Sequence, residues 1–112
     1  MKTLLIFAAA GVLWIGISNP AFAYVDGDTL LKSCRDKPGS VMRSICIGYI
    51  AGVADVMRNA TIGKRKACID RKLGLTDLIK QTSRFIDRSL LDRTKPAAEL
   101  VVVVFSNEFP CD

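Results

Sequence analysis

The chain has 112 residues, half of them hydrophobic, a net charge of +5 and no histidine. The missing imidazole removes the usual base of serine and cysteine nucleophiles, the commonest zinc ligand and the simplest switch near neutral pH. What remains is a small basic protein for which neither catalysis nor a cofactor is expected.

Residues 1–23 read as a cleaved leader. Lys2 gives a positive start, and Leu4 to Ile17 is apolar and uncharged. Asn19-Pro20 and Ala21-Phe22-Ala23 then supply an A-x-A cleavage pattern. The apolar stretch falls short of the roughly 20 residues that span a bilayer. The mature chain, Tyr24 to Asp112, holds no second such stretch. It reads as one exported all-α domain with no membrane insertion. Cys34, Cys46, Cys68 and Cys111 all lie in it, an even count that reads as two disulfides in an oxidising compartment. No C-x-x-C pair is present to favour zinc instead.

The first helix is expected over Asp28 to Arg35, with Asp28 as N-cap and Leu30, Leu31 and Cys34 on one face. Asp36-Lys37-Pro38-Gly39 breaks it, and Ser40 is placed to cap the next. The second runs from Val41 to Asn59. Met42, Ile45, Cys46, Tyr49, Ile50, Val53, Val56 and Met57 give it a wide apolar stripe, as suits a central helix. Within it, Ser44, Gly48, Gly52 and Asp55 form a narrow line almost without side-chain volume. Each interior glycine costs about 1 kcal/mol relative to alanine, so another backbone is expected along that line. The candidates are the fourth helix, with its small Ala97 and Ala98, and the same helix of a second copy. Asp55 then ends the groove and pairs with Arg58 or caps a neighbouring helix. No second acid or nucleophile is placed around Asp55, and no catalytic residue is assigned.

The connection from Ala60 to Gly74 is long for so small a domain, which points to function or to a tether. It holds Cys68 and most of a basic cluster: Arg58, Lys64, Arg65, Lys66, Arg71 and Lys72 against the single acid Asp70. That segment carries +5, and the rest of the mature chain −1. Such clustering suits an acidic protein surface, anionic lipid or nucleic acid, and export argues against nucleic acid. Asn59-Ala60-Thr61 also matches a glycosylation sequon, a short motif that carries little weight.

The third helix is expected from Thr76, as cap, to Leu91, with Leu78, Ile79, Thr82, Phe85, Ile86 and Leu90 on one face. The fourth opens at Thr94-Lys95-Pro96, and Ala97, Leu100, Val101, Val104, Phe105 and Glu108 share a face. The run Val101 to Val104 prefers strand, but the cap and the helical spacing favour helix. Three disulfide pairings are open. With helices running alternately up and down, Cys34–Cys46 and Cys68–Cys111 need the least reach.

The segments "CIGYIAGVADV" and "DGDTLLKSC", the cysteine after the long loop and the terminal "FPC" together resemble the Rap/Tai family. These are small exported immunity proteins that neutralise peptidoglycan amidase effectors of type VI secretion systems. The resemblance spans nearly all of the mature chain. It implies an α-helical, disulfide-bonded periplasmic protein, often dimeric, that binds an effector and occludes its cleft. One departure stands out: the family commonly has proline two residues after the third cysteine, where this chain has Asp70. The alternative reading is a periplasmic chaperone or envelope-stress protein that protects clients when a dimer opens.

Overall fold

The computed structural model describes residues 25–112, so the leader read over residues 1–23, and Tyr24 after it, lie outside the described residues. Four helices follow one another: α1 (Gly27–Arg35), α2 (Val41–Asn59), α3 (Leu75–Arg88) and α4 (Ala97–Glu108). Among the described residues there is no strand, only isolated bridges at Asp26–Pro96 and Ile62–Arg65. No helix among them is long and apolar enough to cross a membrane.

α1 starts one residue earlier than its hydrophobic spacing suggests, and Asp26, not Asp28, is its cap. The Thr29 amide donates to Asp26 Oδ1 at 2.8 Å. Hydrogen bonds from the Thr29 backbone, then its hydroxyl, hold the Asp26 carboxyl below the ordinary aspartate range. The cap is therefore fully present above that range and is lost as pH falls through the lowered value. The entry is set by Gly27, whose amide donates to the Lys95 carbonyl at 3.1 Å. A Cβ there would collide with Leu100 and stand 2.9 Å from the Arg93 carbonyl oxygen.

α2 is the central helix and touches the other three. Ser40 caps it, accepting from the Arg43 amide at 3.0 Å. Its buried face is Cys46, Ile50, Ala54 and Met57. The rest of the expected wide stripe is not covered: Met42 and Val56 are exposed, and Ile45, Tyr49 and Val53 half-buried.

α3 differs at both ends from its sequence reading. Gly74 takes the N-cap position, without a side-chain hydrogen bond, and Thr76 lies inside the helix. The far end stops at Arg88 because the Ser89 hydroxyl bonds the Ile86 carbonyl and accepts from the Leu91 amide. A serine that serves its own backbone in this way offers the chain an alternative to further helix. Leu90 is left fully exposed.

α4 is a helix, and the strand preference of its valines is overridden by burial. Ala97, Leu100, Val101, Val102, Val104 and Phe105 pack against the other three helices. Both disulfides form as the topology suggests, Cys34–Cys46 and Cys68–Cys111.

One core polar atom is unserved. Thr82 is 1% exposed, and its hydroxyl has no hydrogen-bond partner among the described residues. An unpaired buried hydroxyl costs about 1–3 kcal/mol, and an apolar group of the same shape removes that cost. Thr82→Val should raise stability by about 1 kcal/mol, read as a higher denaturant midpoint at unchanged slope. A lower midpoint would mean that the hydroxyl has a partner.

Candidate protein-binding surfaces

The Ala60–Gly74 connection is long but anchored at every turn. Gly63, at φ +62°, allows the tight reversal in which Ile62 and Arg65 exchange backbone hydrogen bonds of 2.9 and 3.0 Å. Ala67 and Ile69 are buried, and Cys68 between them is exposed, the alternation of extended chain. The Cys68 amide donates to the Phe109 carbonyl at 2.8 Å, and its sulfur bonds Cys111. Arg65 Nη1 donates to Ser106 Oγ at 3.0 Å. Asp70 closes a turn by accepting from the Lys72 amide at 2.9 Å, while the Leu73 amide donates to its carbonyl. The segment is thereby held against the end of α4.

Arg58, Lys64, Arg65, Lys66, Arg71 and Lys72 are all exposed. Among the described residues no ion pair includes any of them; the three present join Arg35 and Arg93 to Asp87 and Arg93 to Asp28. The six do not converge on one pocket. Arg58 and Arg71 line a depression with Asp55, Asn59 and Cys68. Lys64 and Arg65 border another, against Glu99 and Val102 of α4. An approaching partner meets two cationic surfaces, each with one carboxylate in it.

The glycine line has a different fate from the one expected inside the chain. A Cβ built on Gly48 or Gly52 meets nothing within 4 Å among the described residues. α4 does not pack there: Ala97 is buried elsewhere and Ala98 is exposed. Ser44, Gly48 and Gly52 instead floor an open apolar groove walled by Val25, Ile45, Tyr49, Val53, Val56 and Ile62. The Tyr49 hydroxyl accepts from the Val25 amide at 3.1 Å and fixes one wall. Asp55 does not end this groove. It faces the Arg58–Arg71 depression, is exposed and makes no ion pair among the described residues. A step of three from Gly52 turns it onto the neighbouring face, and the groove continues to Val56, a step of four.

The sequence reading missed the Asp87 hub, where Arg35 donates at 2.6 Å and Arg93 joins at 3.8 Å. Its members come from α1, α3 and the α3–α4 connection, and no local spacing announces them. It missed Gly27 as well, although a glycine beside an N-cap aspartate is a signal of close approach.

Four helices closed by two disulfides, with cationic and apolar surfaces left open, define a small stapled helical domain. The model of the Rap1a immunity proteins matches residues 26–111. The chain belongs to that family. No curated protein and no solved structure matches the chain.

Proposed function

We propose that this chain is a periplasmic immunity protein that binds a peptidoglycan amidase effector of a type VI secretion system and occludes its cleft. It carries out no catalysis itself, and its leader over residues 1–23 is removed on export. The observation that carries this reading is the family match across the domain, from the α1 cap to the last cysteine. The anchored basic segment supports it. Holding a recognition loop in its bound shape lowers the ordering cost of association. Unpaired surface cations speed encounter with an acidic cleft and make it salt-dependent.

The test is capture by the mature chain from lysate of a strain carrying the neighbouring genes. The parent should retain one stoichiometric hydrolase. Changing Lys64, Arg65 and Lys66 together to glutamate should weaken its binding at least about tenfold, mostly through the association rate. Equal binding by both would move the contact off the basic segment. Retention of many unrelated envelope proteins would favour the chaperone, with the open α2 groove as client surface.

The groove suits a second copy of the chain as a further partner. A mature chain of net +4 meets itself most readily through an uncharged face, and α2 carries no charge from Ser44 to Ala54. Gly48→Ala/Gly52→Ala separates the two roles of these glycines. In a monomer each change should stabilise by roughly 0.5–1 kcal/mol, because the added methyl meets open space and improves helix propensity. If helices cross there, the same change should weaken the dimer in sedimentation analysis. A more stable chain with unaltered association would exclude the groove as the interface.

A further inference from the structure

The two disulfides sit in opposite surroundings. Cys34 and Cys46 are 7% and 0% exposed and lie inside the core. Cys68 is exposed and Cys111 half-buried. Cys68 also lines the depression of about 680 Å³ that holds Arg58 and Arg71, against the one carboxylate of Asp55. Thiol–disulfide exchange needs an attacking thiolate to reach a sulfur, and cations around that sulfur attract the anionic attacker and stabilise the thiolate the sulfur later becomes. A buried bond is reached only through opening of the fold.

The Cys68–Cys111 bond also has a mechanical role. It closes the end of the chain onto the basic segment. Around it stand the Cys68–Phe109 hydrogen bond, the Arg65–Ser106 hydrogen bond, the Ile62–Arg65 backbone pair and the buried Ala67 and Ile69.

We infer that Cys68–Cys111 is a thiol-addressable clamp: a dithiol reductant opens it ahead of Cys34–Cys46 and thereby loosens the Lys64–Lys66 tip. The attacking thiolate bonds the Cys68 sulfur and expels the Cys111 thiolate, which takes up a proton. The second thiol of the reductant then breaks the mixed disulfide. The reductant leaves as its own disulfide, and Cys68 leaves as a thiolate beside Arg58 and Arg71. Two electrons pass from the dithiol to the protein. This chemistry holds whether or not the partner is an amidase.

The experiment treats the mature oxidised protein with graded dithiothreitol, quenches with acid, alkylates and maps each cysteine by mass spectrometry. Helicity and trypsin cleavage after Lys64, Arg65 and Lys66 are followed in parallel. Cys68 and Cys111 should be labelled at least about tenfold faster than Cys34 and Cys46 with helicity retained, and tryptic cleavage at the tip should quicken over the same period. With glutathione, an anionic thiol, Arg58→Glu/Arg71→Glu should slow the labelling of Cys68 severalfold. Labelling of all four cysteines together, or of Cys34 and Cys46 first, would overturn the inference. Early labelling with unchanged cleavage would overturn the clamp, and an unchanged glutathione rate would remove the arginines from it.

Discussion

Replacing Phe105 by alanine should destabilise the domain by about 3–5 kcal/mol. Phe105 is fully buried on α4 and meets the Phe109 ring edge-on at 6.0 Å between centroids. Its helix packs against the other three, so the surroundings have little freedom to collapse into the space. A small domain has a total stability of about 5–15 kcal/mol, and a loss of 1 kcal/mol lowers Tm by about 4–8 °C at this size. The variant should therefore melt far below the parent with both disulfides intact. The measurement is a thermal or denaturant transition under non-reducing conditions. A loss under about 1 kcal/mol would mean that α4 is not the keystone of the core. The change should also reach the surface, because Phe109 packs on Phe105 and accepts from the Cys68 amide. A loosened Phe105 site should loosen the basic segment with it.

The core was readable because it depends on spacing within single helices. Ser40, the Cys46–Ile50–Met57 side of α2 and the helical period of α4 all lie within a few residues of what they determine. The valines of α4 show the limit of local propensity: burial by three neighbouring helices decided their state. The misreadings have a common origin in contacts between distant segments. Asp26 and Asp28 are equally good caps locally. The choice falls to Asp26 because Gly27 closes onto Arg93 and Lys95, about three-quarters of the mature chain away in sequence. Thr76 is a better local cap than Gly74, yet the chain arriving from the Asp70 turn sets the helix entry two residues earlier. The glycines of α2 announce that something small-sided is wanted along one line. Whether a helix of the same chain fills it is a matter of tertiary placement, and among the described residues none does.

The same limit applied to the candidate site. Six cations close together in sequence read as one cluster, and their exposure was legible from their charge. Their division into two surfaces was not. Cys68 is pinned at Phe109 and Cys111, and Arg65 is turned towards Ser106, so neighbours in the chain look out over different elements. Val53, Ala54 and Val56, the neighbours of Asp55 in sequence, are apolar. A helix places such neighbours on different faces, and Asp55 is on the open one.

Removing the Cys68–Cys111 bond by alanine at both positions should cost about 4 kcal/mol by chain entropy, since it closes a loop of sequence separation 43, about half of the mature domain. The Cys34–Cys46 bond closes a much shorter loop, worth about 3 kcal/mol on the same basis. Its sulfurs are buried, though, so their removal also leaves unfilled space in the core. The two losses therefore converge, and unfolding curves alone will rank the bonds poorly. Local readouts separate them. Without Cys68–Cys111 the helices retain their buried faces, and the segment from Ile62 to Leu73 loses its covalent tie. Hydrogen exchange at the Cys68 amide and cleavage at Lys64 to Lys66 should rise well beyond the change in global stability. Without Cys34–Cys46 the protection of α1 and the start of α2 should fall first, with the basic segment unaffected. If both variants loosened the same amides in the same order, the domain would open as a single unit. The clamp would then have no independent existence.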